Sequence, residues 1–325
     1  MAHRPAPVIG AAIDVGATSV HLLVAELHGH RLRVVLDVSE LLRLGEVVDV
    51  GGALGPAARI RLIACLLRYR DAARAAGAGE PLVVGTEPLR RASDATDAAG
   101  EVASATGLTL HVLDHVTEGL LTLLGVTSGR PVRRELLVVD VGGGSSEFVS
   151  VGPDEAAAAH GVRVGAARLT AAIVAHDPPT PDELHALLEE ARRLITEAPD
   201  VVPERLVVVG GTASNLLRVV PGGSVDRSLT RRRIAAAMVL LAHEPAGVVA
   251  QTYGVNPHRA RILPAGAAIM GAIIERYGVP RLRVSEAGIR EGAILAGAHA
   301  GSDWQRRLPQ LLAGWGPGSG GPADG

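Results

Sequence analysis

The sequence has no lysine: all 32 of its basic side chains are arginine, against 34 acids. The formal net charge is therefore −2, and no global excess of either sign announces a nucleic-acid or membrane partner. Coding bias toward arginine accounts for most of this, and arginine still suits bidentate contacts to phosphate. Cysteine is nearly missing as well. Cys65, inside "RLIACLLRYR", is the only one, so neither a disulfide framework nor a cysteine-rich metal site can be built, and a buried inert thiol is expected. Long hydrophobic runs are also lacking. The longest, "ILPAGAAIMGAII", is too short to span a bilayer and contains Pro264. At the N-terminus Asp14 and other polar residues break the apolar run before a signal-peptide pattern forms. The expectation is a cytoplasmic protein with no membrane association.

What is present is ample apolar material, 47% of 325 residues with mean hydropathy +0.26. That length is long for one core and predicts two domains. Much of the apolar fraction is alanine, so the helices are expected to pack on small side chains. Strands are predicted at "VIGAAID", "SVHLLVAEL" and "RLRVVLDVS", with His28 and His30 in the bend between the last two. Those histidines have no third ligand in view for a metal. A helical spacing runs from Pro56 to Ala76, and "PLVVGT", "DAAGEVASATG", "LTLHVL" and "HVTEGLLTLLGV" alternate strand with helix. The second half repeats the alternation, opening on "RRELLVVDVGGGSSEFVSVG". A helix at "TPDELHALLEEARRLITEA" starts well with Thr180, Pro181 and Asp182. This is an α/β pattern. The repeated strand, aspartate, glycine turn and strand at the start of each half suggests an internal duplication, with the boundary in Thr127–Arg134. The domains are read as 1–129 and 130–300, followed by a flexible tail over 301–325, where "WGPGSGGPADG" lies.

Two turns carry the chemistry, "DVGATS" after Ile13 and "DVGGGSSE" after Val139. Glycine removes side chains between backbone amides and a ligand, so successive amides can converge on an anion. Thr18, Ser19, Ser145 and Ser146 add hydroxyls. Asp14, Asp140 and Glu147 would repel phosphate unless Mg²⁺ lies between, a hard ion that takes oxygen ligands. The bland reading is a tight hairpin with a polar tip. A third turn, "VVGGTAS", places Gly210 and Gly211 before a helix start, where amides and the helix dipole favour anions.

At these residues the sequence resembles the exopolyphosphatase/guanosine pentaphosphate phosphohydrolase (Ppx/GppA) family. "IDVGATSVHLLVAE", "GTEPLRRASD", "TEGLLTLLGV", "VVDVGGGSSE", "VGGTAS" and "VSEAGIREGAIL" occur in the family's order, from about Ile9 to Ala296. The resemblance implies two ribonuclease-H-like domains of the actin-like ATPase superfamily with a cleft between them. Asp14, Gly16, Thr18 and Ser19 would belong to the first phosphate loop. Gly142, Gly143, Gly144 and Ser145 would form the second. Asp140 and Glu147 would stand near Mg²⁺, or Mn²⁺ in its place. Arg90 matches the arginine at the scissile phosphate and Glu118 the glutamate that deprotonates the attacking water. Spacing alone does not choose between Arg90 and Arg91; adjacent residues point apart, one to the site and the other to solvent. A carboxylate such as Glu118 near a helix start could equally be a cap.

The implied activity is release of terminal phosphate from inorganic polyphosphate, conversion of pppGpp to ppGpp, or both, by a short two-domain form whose relatives often dimerise. There are departures from the pattern. The first loop reads Gly16–Ala17–Thr18–Ser19 where the family has Gly–Ser–Asn–Ser or Gly–Ser–Asn–Thr, and His21 stands where many members have arginine. These leave two alternatives: a non-catalytic sensor of polyphosphate or alarmone, and a kinase or ATPase of the same superfamily.

Overall fold

The computed structural model describes residues 8–153, 155–220 and 222–313. The chain divides into two compact units, one formed by residues 1–131 with 287–325 and the other by Val132–Glu286.

The first unit runs β1 (Val8–Val15), β2 (Ser19–His28), β3 (Arg31–Leu41), α1 (Leu44–Gly51), α2 (Gly55–Ala75), β4 (Leu82–Gly85), α3 (Glu87–Arg91), α4 (Ala95–Thr106), β5 (Leu110–Val112) and α5 (His115–Thr127). Its sheet has the order β3-β2-β1-β4-β5. The first three strands form an antiparallel meander, and β4 and β5 add in parallel. Strand alternation sorts the side chains. Ile13, Val15, Val20, Leu22 and Val24 enter the main core with Leu62, Cys65 and Leu66 of α2. Cys65 is buried and its thiol is pushed up to about 12 by burial, which fits the inert role expected of it. Ala12, Leu23 and Ala25 point to the other face, as Asp14 and His21 do by register.

The second unit runs β6 (Leu136–Val141), β7 (Ser146–Val151), β8 (Ala158–Val162), α6 (Ala166–Ile173), α7 (Pro181–Ile195), β9 (Arg205–Val209), α8 (Gly210–Val219), α9 (Gly223–Asp226), β10 (Ser228–Thr230), α10 (Arg231–His243), α11 (Ala246–Tyr253), α12 (Pro257–Tyr277) and β11 (Arg281–Val284). Its sheet order is β10-β11-β9-β6-β7-β8. Read from β8 to β11, the pairing repeats that of the first sheet from β3 to β5: meander, then two parallel strands. The duplication expected from the two turns is therefore present in strand topology, and each unit has the ribonuclease-H-like arrangement.

Helix starts follow local chemistry. Thr180 accepts from the Glu183 N–H while Glu183 reaches back to the Thr180 N–H at 2.8 Å, a capping box with Pro181 at the first helical position. Asp114 caps α5 by accepting from Thr117 N at 2.7 Å.

The domain limits need correction at the C-terminal end. The segment from Ala287 returns to the first unit. There α13 (Ile289–Ala300) lays Ala293 and Ile294 on Ala12, Leu23 and Ala25. It crosses α5 so closely that a Cβ on Gly125 would strike the Gly288 carbonyl. The reading of 301–325 as a flexible tail fails for its first part. A last helix, α14 (Trp304–Leu312), buries Trp304, Leu308 and Leu311 against Leu113, Leu121 and Leu124. Trp304 packs edge-on to His111 at 5.5 Å. Residues 314–325 lie outside the described residues.

Candidate active site

Each unit carries one of the two glycine turns, and both turns are hairpins, as the bland reading held. What distinguishes them is where their carbonyls go. In the second, Gly142 N donates to Ser145 O at 3.0 Å and closes the turn. The start of α6 then takes the remaining carbonyls: Ala166 N donates to Gly142 O at 3.0 Å, Arg168 N to Gly143 O at 3.0 Å, and Arg168 Nε to Gly144 O at 2.9 Å. A trans peptide points its N–H opposite to its C=O. The amides of Gly143, Gly144 and Ser145 are thereby turned away from α6 and side by side. A Cβ on Gly165 would overlap the Gly143 carbonyl, so glycine is needed where α6 meets the turn. This is a backbone arrangement able to hold an oxyanion.

The first turn is built the same way. Gly16 N donates to Ser19 O at 3.1 Å, Arg43 N to Thr18 O at 2.9 Å and Gly45 N to Ala17 O at 2.9 Å. The amides of Thr18 and Ser19 are turned by the same peptide geometry. The replacements at Ala17 and Thr18 leave this backbone pattern whole, and Thr18 and Ser19 are buried.

The acids fall into equivalent places. Asp140 lies opposite Glu147 across β6 and β7, so both side chains share a face. Glu147 is 2% exposed and accepts from Ser145 Oγ at 2.8 Å. In the first unit Asp14 lies opposite His21, and Ser19 Oγ meets His21 Nε2 at 2.6 Å. His21 thus occupies the position that Glu147 holds in the duplicate. A buried and a half-buried carboxylate paired beside a hydroxyl are a hard-oxygen donor set of the kind Mg²⁺ takes; the Asp14–His21 pair is not.

Gly210 is tied to Asp140. Its φ is +91°, and a Cβ there would come 2.6 Å from Asp140 Oδ1. Gly211 lies against the Arg259 guanidinium. The third glycine turn therefore has a packing reason for both residues, and Arg259 is a cation at that turn which the sequence reading did not single out.

Arg90 and Glu118 meet within the first unit. Arg90 Nη1 donates to Glu118 Oε2 at 2.6 Å and to Leu113 O at 2.8 Å, and Nη2 to His115 Nδ1 at 3.0 Å. Glu118 is 6% exposed. It is not the cap of α5, because Asp114 has that role and receives the Glu118 N–H on its carbonyl at 3.0 Å. Partial burial, with the Arg90 charge beside it, lowers the pKa of the His115 imidazole, which favours the neutral ring whose Nδ1 can accept. Arg91 was expected in solvent. It is instead ion-paired with Asp49 at 2.9 Å and with Glu87 one turn back. The structure separates the two arginines that the sequence left equivalent.

His28 contacts Glu26 at 3.0 Å, and His30 bonds the Ser128 carbonyl. Of Arg231, Arg232 and Arg233, the last is bound to Asp226 at 2.6 Å and to Ser228. Arg290, in the first turn of α13, pairs with Asp37 of β3 at 2.5 Å on the face that carries Asp14. Its signal was the arginine of "GIREG", which the sequence reading used only as part of a pattern.

No helix among the described residues is long and apolar enough to cross a membrane. Exopolyphosphatase 1 of Mycobacterium tuberculosis is 29% identical over 303 residues, covering 87% of this chain and 86% of the relative. Exopolyphosphatase 2 of the same organism is 28% identical over 325 residues, covering 88% and 97%. Among solved structures, the Ppx/GppA family member of Aquifex aeolicus matches with TM-score 0.76 and 25% identity over 90% of this chain and 97% of that one. An exopolyphosphatase from Cytophaga hutchinsonii, 19% identical with TM-score 0.77 over 89% and 98%, bears on the fold alone. The model of the Ppx/GppA phosphatase family matches residues 23–300, and with the turns, the Arg90–Glu118 pair and the duplicated sheets in place, the chain belongs to that family.

Proposed function

We propose that the protein is an exopolyphosphatase, releasing terminal phosphate from inorganic polyphosphate, with pppGpp as a second substrate of the same chemistry. The observation that carries this is the buried Glu118 carboxylate held by Arg90. In this reading an arriving phosphate draws the Arg90 guanidinium onto its oxygens. That uncovers Glu118, which accepts the proton of the attacking water. The turn amides and Arg90 stabilise charge on the transferring group. Asp140 and Glu147 would hold Mg²⁺, which when bound supplies charge neutralisation at the phosphate oxygens. Names of relatives support polyphosphate over other anhydrides.

The test is a phosphate-release screen over polyphosphate lengths, pppGpp and ATP, with Mg²⁺ or Mn²⁺ supplied. Polyphosphate turnover is expected, falling by roughly 10²–10⁴-fold in Glu118→Gln. Turnover of ATP alone, or undiminished turnover in Glu118→Gln, would refute it. Tight tripolyphosphate binding with no turnover of any substrate would instead favour a sensor.

A further inference from the structure

Arg43 stands between β3 and α1 in the left-handed region, with φ 52° and ψ 42°. A side chain there strains the backbone, and glycine would not. The reason for the conformation is on the first turn. The Arg43 N–H reaches Thr18 O, and two residues later Gly45 N reaches Ala17 O. Those two bonds turn the Thr18 and Ser19 amides outward. They require the backbone of residue 43, but not an arginine.

The side chain has no structural employment. Two other non-glycine residues have positive φ, Ser128 and Arg227. Arg227 uses its guanidinium on Glu286 and the Val284 carbonyl, and Ser128 holds His30 with its carbonyl. Arg43 is exposed, and its guanidinium makes no hydrogen bond or ion pair among the described residues. Arg90, Arg91, Arg68 and Arg290 of this unit are committed, to Glu118, Asp49, Glu40 and Asp37; Arg31, Arg61 and Arg74 are unengaged like Arg43, but none of them bonds to the Gly16–Ser19 turn. In the second unit Arg168 N takes the Gly143 carbonyl, as Gly45 N takes that of Ala17, and Arg168 Nε takes the Gly144 carbonyl, the counterpart of Thr18 O. An arginine thus serves the same carbonyl in both units, through its side chain in the second and through its backbone N–H in the first, where the guanidinium is left off the turn.

We propose that Arg43 is a substrate-binding residue: its unengaged guanidinium, carried by backbone bonded to the Gly16–Ser19 turn, binds a phosphate group of the polyphosphate chain next to the one held by the turn amides. The ligand class is a linear condensed phosphate, whose successive charges suit a fork of N–H donors. This rests on the polyphosphatase reading for its substrate, but not for the contact itself.

The variants are Arg43→Gly and Arg43→Asn, both compatible with left-handed backbone, and Arg43→Lys. Tripolyphosphate binding is measured by calorimetry, and polyphosphate hydrolysis by KM and kcat at several salt concentrations. In the Gly and Asn variants Kd and KM are expected to rise about tenfold, with kcat falling far less and a shallower salt dependence. Melting temperature should hold or rise in Arg43→Gly, and Arg43→Lys should recover part of the affinity. Unchanged Kd and KM in the Gly and Asn variants would overturn the proposal. So would a lysine variant as weak as asparagine with a lowered melting temperature, since the loss would then belong to the turn. If wild type binds tripolyphosphate, loses it in Arg43→Gly, and releases no phosphate, the hydrolase reading falls and the Arg43 contact stands.

Discussion

Partial burial, and then the Arg90 charge beside it, lower the pKa of His115, and its Nδ1 can accept from Arg90 only in the neutral form. Its folded pKa is depressed, so the contribution is fully present above the unfolded value of about 6.5 and is lost as pH falls through the folded one. Activity and melting temperature measured from pH 8 to pH 5 should fall together at the acid end. In His115→Asn, an amide whose oxygen can still accept, the acid-side loss should shift or vanish. An unchanged acid limb would separate His115 from the Arg90–Glu118 pair. At Gly210 the argument is steric. Gly210→Ala places a methyl on Asp140 Oδ1 in a backbone conformation alanine resists. It should destabilise by about 1–3 kcal/mol, read by denaturant unfolding, and cost more activity than stability predicts. A neutral substitution would mean the turn relaxes and Asp140 is not fixed by it. The sequence showed the glycine; which acid it made room for depended on β6 lying beside β9.

At the scale of elements, helix caps can be compared directly. Thr180→Ala removes half of a capping box on α7 and should cost about 1 kcal/mol with no effect on catalysis. Asp114→Ala removes the cap of α5 and should cost a similar amount. It should also lower kcat, because the freed first turn carries Glu118. Equal kcat in both variants would show that α5 holds Glu118 without its cap. The start of α7 was legible in sequence because its cap is a contact across three residues; for α5 the sequence allowed Glu118 as the cap, and the structure gives that role to Asp114. The choice between Arg90 and Arg91 was not legible, because it depends on α3 turning one arginine toward α5 and the other toward Asp49 of α1.

For the whole molecule, the return of the chain from Ala287 makes the first unit discontinuous. A chain ended at Ala300 loses α14 and bares the surface that Trp304, Leu308 and Leu311 cover. Removing a buried tryptophan alone costs roughly 3–5 kcal/mol. The truncated chain should melt well below the full one, whereas one ended at Ala313 should not. Equal melting temperatures for all three would restore the view of 301–325 as a dispensable tail. The signal for α14 was present in Trp304, Leu308 and Leu311, spaced four and three apart, but the glycine-rich stretch after it dominated the composition.

The sequence by itself determined the alternation of strands and helices, the two acid-bearing glycine turns and the buried thiol, because each depends on neighbours a few residues apart. Tertiary structure decided the strand order, the assignment of α13 and α14 to the first unit, the pairing of Arg90 with Glu118, and the left-handed Arg43 beside Thr18. Those are settled by contacts between segments remote in sequence, formed where a sheet face must be covered or a carbonyl must find a donor, and no local pattern encodes them.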